Sequence, residues 1–222
     1  MKIRNRYALL FIALVLIISG CAHQDDKIRP AQDIFNDARE LAQKGNVEKA
    51  SEMFMEVRTY YPGDELAKKS LLETADLYYN NEEYDSARQS YEEFRLLYPT
   101  DPESGYSLYR IALCHFNQMS TFDRDQSVTV RTVQTLENYL ASYPKSQYTQ
   151  AAKDQLVEAR TRLASHYVYI GKFYLKKKEY KSACNRFQYV KKQYPGITLE
   201  DDLDSLISKS CREDEPKPGQ TP

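Results

Sequence analysis

Tryptophan is absent from this 222-residue chain, and glycine occurs only 7 times. So few glycines leave little material for the Gly-rich loops that cradle phosphates, and nucleotide-binding motifs of that kind are not expected. Histidine occurs 3 times, as His23, His115 and His166, far apart in sequence. No cluster with catalytic or metal-ligand spacing can be read from them. No G-x-S-x-G elbow accompanies the many serines. The chain therefore reads as a protein that is not an enzyme, with no catalytic residues, no cofactor and no metal. Charge of one sign is missing too. Lys and Arg total 31 against 32 Asp and Glu, with no basic block to argue for nucleic acid as a partner. Long apolar runs are also missing. The strongest, Ala8 to Ile18, spans 11 residues, and a membrane-crossing helix needs about 20.

That short run has a purpose of another kind. Lys2, Arg4 and Arg6 precede it, as in the basic start of a signal peptide, and its length suits an h-region. It ends at Ile18-Ser19-Gly20-Cys21, which resembles a bacterial lipobox. Cys21 is then the lipidation site, residues 1–20 are the removed signal peptide, and residues 21–32 form a tether. The competing reading is an ordinary signal peptide with an incidental cysteine. Ala22 follows where an aspartate would favour inner-membrane retention, so the outer membrane fits, with the chain lipid-anchored and facing the periplasm. More than one acyl chain on Cys21 is enough for stable anchoring. The signal peptide takes three of the 31 basic residues, leaving 28 against 32 acidic ones, a net of −4.

Besides Cys21 there are Cys114, Cys184 and Cys211, and their spacing matches no zinc pattern. An oxidising periplasm permits one disulfide, for which Cys184 with Cys211 is the chosen pair. The alternative is buried or free thiols, with Cys114 a small apolar residue inside a helix.

Tyrosine is abundant, at 19. Tyr-Pro occurs at 61–62, 98–99, 143–144 and 194–195, and aligning backwards from each proline exposes a repeat. Twelve residues earlier stand Ala50, Ala87, Thr132 and Ala183; eight earlier, Phe54, Tyr91, Leu136 and Phe187; five earlier, Val57, Phe94, Tyr139 and Val190. The i, i+4, i+7 spacing marks one face of a helix that proline terminates. Upstream partners repeat the spacing with a small residue in the middle: Ile34-Ala38-Leu41, Leu71-Ala75-Tyr78 and Tyr167-Gly171-Tyr174. This is the tetratricopeptide pattern, and the fold class is all-α, a solenoid of antiparallel helix pairs over residues 33–211. The first two prolines lie 37 residues apart, near the consensus period of about 34. The next interval, 45, places a polar loop between Met119 and Val128. The last, 51, is 14 longer than the first, almost four helical turns, and predicts one helix of about 30 residues running from near Gln147. Residues 197–210 are expected to form a capping helix through Leu199, Leu203, Leu206 and Ile207. Residues 212–222 are expected to be a disordered tail.

A lipobox followed by such repeats resembles the BamD family of the outer-membrane β-barrel assembly machinery. More local likenesses are "FDRD" at 122–125, the segment 143–167 from "YPKSQYT" into the long helix, and "NRF" at 185–187. They cover roughly Ala31 to Pro195. The family completes a fifth helix pair where this chain is expected to hold one helix, which puts binding of other lipoproteins through that end in doubt. The resemblance implies a scaffold that recognises unfolded outer-membrane β-barrel proteins and docks on a POTRA domain of the Omp85-type barrel subunit. The runner-up is another repeat lipoprotein, such as a pilotin for secretin or pilus assembly, or a cell-envelope division factor.

Repeat arrays bind on the concave surface lined by the first helix of each pair. The frame puts Phe35, Arg39, Leu72, Asp76, Tyr79, Tyr106, Tyr109 and Leu113 there. That groove suits an extended segment ending in aromatic or apolar residues, which the resemblance identifies with the C-terminal strand of a barrel protein. Packing between helices is the competing role for each tyrosine. Arg186, in the Asn-Arg step, is carried over as the contact to the barrel subunit through a bidentate carboxylate bond. The competing role is an exposed surface arginine. His115 falls at a core position, and Asp123 and Asp125 read as a solvated loop with a helix cap.

Overall fold

The computed structural model describes residues 28–213. Cys21, the signal segment and residues 214–222 lie outside them. Within them the chain is helical: α1 Ala31–Gln43, α2 Val47–Tyr60, α3 Glu65–Asn80, α4 Tyr84–Leu97, α5 Ser104–Asn117, α6 Ser127–Ser142, α7 Thr149–Lys176, α8 Tyr180–Gln193 and α9 Leu203–Glu213. Among the described residues no helix is long and apolar enough to cross a membrane.

The Tyr-Pro exits explain where the second helices stop. Tyr61, Tyr98, Tyr143 and Tyr194 all sit at the C-cap with φ between −131° and −125° and ψ between 52° and 59°. The following proline drives each out of the helical region. Each still donates its N–H to the carbonyl four residues back, on Val57, Phe94, Tyr139 and Val190. The same carbonyl-bearing residues form the core. Ala50, Ala87, Thr132, Ala183, Phe54, Tyr91, Leu136 and Phe187 are 0% exposed, and Val57, Phe94, Tyr139 and Val190 at most 1%. Burying a side chain the size of Phe is worth about 1.5–3 kcal/mol, so these recurring positions dominate the packing of each pair.

The tight turns inside repeats one, two and four also recur. Gly45, Glu82 and Lys178 take φ of 74°, 63° and 62°. The next residue's N–H in each reaches back to Leu41, Tyr78 or Tyr174. Repeat three replaces this turn with residues 118–126. Arg162 of α7 donates to the carbonyls of Met119 (3.1 Å) and Ser120 (3.2 Å), and His166 Nδ1 lies 2.6 Å from the Phe122 carbonyl. Asp125 Oδ1 accepts the Ser127 N–H at 3.0 Å, the first N–H of α6.

Helix α7 is 28 residues long. In its first half Ala152 packs with Leu136 and Tyr139 of α6, and in its second half Ala164 and Val168 pack with Ala183 and Phe187 of α8. Gly171 lets the Phe187 ring press on the helix backbone; a Cβ there would meet Cζ at 2.8 Å and Cδ1 at 2.9 Å.

The array ends differently from the expected capping helix over 197–210. Residues 197–202 are irregular, and α9 begins at Leu203 because Asp202 accepts the Ser205 N–H at 3.1 Å. Ile197 and Leu199 still pack on the last core, beside Leu203, Leu206 and Ile207. Helix α1 likewise starts two residues before 33, at Ala31.

Candidate functional site

Successive helices touch in sequence order, and in addition α1 touches α3 and α5 touches α7. The second helices of the pairs make no comparable contact with one another among the described residues. First helices of neighbouring pairs therefore approach one another, and their side chains share one face of the array.

A strip of bridging side chains runs along it. Between α1 and α3, Arg39 Nε lies 3.5 Å from Glu73 Oε1, both substantially exposed. Burial raises the Glu73 pKa, partly opposed by Arg39. Between α3 and α5, Asp76 Oδ1 accepts hydrogen bonds from the hydroxyls of Tyr91 and Tyr106, each at 2.5 Å. Arg110 Nη2 lies 3.4 Å from the same oxygen, and Arg110 Nε donates to the Tyr91 hydroxyl at 2.8 Å. The Arg110 guanidinium lies over the Tyr79 ring, 3.6 Å from its centroid. Asn117 donates to the Tyr79 hydroxyl at 2.9 Å. Between α5 and α7, Tyr109 stacks on Tyr148 with centroids 4.8 Å apart and planes at 13°.

Electrostatics favours the protonated hydroxyls of this network. Burial, with the Asp76 charge beside them, pushes the Tyr91 and Tyr106 hydroxyls well above the ordinary tyrosine value. Both remain donors at any pH the protein meets. Burial works against the Arg110 charge, but Tyr91, Tyr106 and Asp76 outweigh it, so its pKa is raised. The strip is thus a fixed polar and aromatic surface with its charges already matched. It offers ring faces, a hydrogen-bonded carboxylate and a stacked guanidinium.

The sequence-derived groove residues divide. Arg39 is exposed, and Asp76, Tyr79 and Tyr106 are half-buried on this strip, while Leu72 and Leu113 are half-buried against the second and third cores. Phe35 and Tyr109 are not groove residues in this state. Phe35 is 5% exposed and packs edge-on to Phe54 in the first core. Tyr109 is 6% exposed, covered by Tyr148 and Tyr139. Arg110, Glu73, Asn117 and Tyr148 were not anticipated. The signal was available for Arg110, a lone cation in the otherwise apolar stretch "YSLYRIALC", which needs a counter-charge from another helix.

The second candidate surface lies at the other end. Arg186 is exposed on α8, in a shallow hollow with Tyr174, Ser182, Asn185 and Tyr189. Tyr189 in turn packs edge-on to Tyr167 at 4.8 Å. Cys184 and Cys211 are joined as a disulfide that ties α9 to α8. Cys114 is a free, buried thiol whose pKa burial pushes up to about 12, so it is unreactive. Among the described residues no group of His, Cys, Asp and Glu could hold a metal ion.

A family model described as YfiO, outer membrane lipoprotein, matches residues 27–213. The chain is 29% identical over 188 residues to "Outer membrane protein assembly factor BamD" of Caulobacter vibrioides, a match covering 81% of this chain and 62% of that one. It is 30% identical over 190 residues to the protein of the same name from Rickettsia prowazekii, covering 84% and 75%. The chain thus spans less than two thirds of the Caulobacter relative. A thermophilic TPR protein of Thermus thermophilus is similar at 14% identity and a TM-score of 0.41, covering 83% and 98%, a likeness too loose to argue from.

Proposed function

The chain belongs to the YfiO family of outer membrane lipoproteins, and from that premise we propose that it is a non-catalytic subunit of the β-barrel assembly machinery. It is held at the periplasmic face of the outer membrane by lipid on Cys21. It scaffolds the complex and receives unfolded outer-membrane proteins. The observation that carries this reading is that the family match covers the whole helical array rather than one generic repeat. Each half of the array then has its own task.

The concave strip of α1, α3 and α5 receives the substrate. An incoming C-terminal strand ending in aromatic or apolar residues would lie against Tyr79, Tyr106, Leu72 and Leu113. Its terminal carboxylate would be met by Arg39, the most exposed cation on the strip. Because Asp76, Arg110 and three tyrosines are already bonded to one another, little ordering remains to oppose binding. The opposite end docks on a POTRA domain of the Omp85-type subunit, with Arg186 forming a two-pronged bond to a carboxylate there.

Fluorescence anisotropy with a labelled barrel C-terminal peptide tests the recognition half. Arg39→Ala combined with Tyr79→Ala should weaken binding at least about tenfold, corresponding to roughly 1.4 kcal/mol, measured at a temperature where circular dichroism shows the variant still folded. Undiminished affinity would remove the concave strip as the substrate surface.

A further inference from the structure

We infer that the edge of the array carrying the first two Tyr-Pro exits rests on the lipid surface. This placement depends on the reading of Cys21 as the lipid attachment. The start of α1, the end of α2, the start of α3 and the end of α4 share one edge, since consecutive helices are antiparallel. Residues 62–65 and 97–102 line a common hollow there. The chain enters at the same edge, because the Tyr61 hydroxyl donates to the Arg29 carbonyl at 2.7 Å. Between Cys21 and Ile28 lie seven residue steps, which even fully extended reach no more than about 25 Å. This edge is therefore the part of the array that the anchor holds nearest the membrane.

Its exposed side chains suit an interface. Leu96 is 79% exposed, Ile28 55%, Leu97 53% and Tyr60 51%, which makes this a concentration of large apolar groups in solvent. The charges beside them are partly paired. Lys68 pairs with both Glu65 and Asp101 at 2.8 Å, and Arg58 pairs with Glu93. Asp64 and Asp101 also accept backbone N–H groups, from Leu66 at 2.8 Å and Glu103 at 2.9 Å. One cation, Lys68, faces two carboxylates, so this edge keeps some negative charge and suits headgroups that are mainly zwitterionic. Short apolar contacts of this kind are too few to hold a protein at a membrane alone. Added to a lipid anchor, they set the orientation, with the concave strip open sideways to the periplasm.

The test uses the full lipidated chain in vesicles of phosphatidylethanolamine and phosphatidylglycerol that carry brominated acyl chains. Leu96→Cys receives an environment-sensitive label, with Lys44→Cys on the opposite edge as the reference. Cys114 is buried and Cys184 and Cys211 are bonded, so labelling is confined to the new thiol. The expected result is a blue shift and loss of fluorescence at position 96 and neither at position 44. A chain that floats with the vesicles but shows no quenching at 96, or equal quenching at both positions, overturns the placement. A chain that does not float overturns the anchor, and the placement with it.

Discussion

Gly171→Ala is the substitution most sensitive to the packing described here. In an exposed helix the change would stabilise, since Ala is favoured over Gly by about 1 kcal/mol. At this position the new methyl would enter the Phe187 ring, with Cζ at 2.8 Å and Cδ1 at 2.9 Å. Phe187 is 0% exposed and cannot swing outward without leaving the last core. Inserting one carbon into a packed core costs about 1–3 kcal/mol. With several ring atoms inside contact distance, the upper part of that range applies, and the net loss should be about 1–2 kcal/mol. For a domain of this size that lowers the melting temperature by roughly 2–8 °C, measured by far-UV circular dichroism. Phe187→Leu should itself destabilise, yet the double variant should lose about 1 kcal/mol less than the sum of the two singles. A Gly171→Ala protein that melts above the parent would refute the claim that this glycine exists to admit the ring.

Two further consequences concern the array's end and its acid sensitivity. The Cys184–Cys211 bond closes a loop with a separation of 27, for which chain entropy gives about 3.5 kcal/mol as an upper value. Cys211→Ser should therefore lower the melting point and bring fast hydrogen exchange to α9 before the other helices; unchanged α9 protection would count against this. The Lys68 ammonium bonded to Asp101 holds its carboxyl below the usual carboxylate range. Its contribution is present above the unfolded-state value, near 3.9, and is lost as pH falls through the lower folded one. Asp101→Asn should flatten the fall of melting temperature below about pH 4, and an unaltered acid limb would dismiss the pair as a contributor.

The helix pairs were legible because proline leaves a fixed landmark and because small and large core residues recur at helical spacing from it. Every second-helix position read in this way is buried. The long α7 was legible from the proline interval together with the stretch 147–164, which has no Pro or Gly and keeps apolar residues at helical spacing. The concave strip was less so. Whether a side chain lies on that surface or under it depends on how one repeat sits on the next, which a period in sequence does not state. Phe35 stands in the first helix of the array, and its ring turns onto Phe54. Tyr109 is covered by Tyr139 of α6 and by Tyr148, just before α7. The start of α9 was misplaced because Leu199 packs on the core from irregular chain, so its apolar character mimics a helical stripe.

The most direct test of the functional account is purification of the lipidated chain from native outer membranes in gentle detergent, with the bound partners identified by mass spectrometry. The account predicts that an Omp85-type barrel subunit copurifies, and that Arg186→Glu abolishes this while leaving the helical array folded. A preparation that carries a secretin or pilus subunit and no barrel subunit would contradict it.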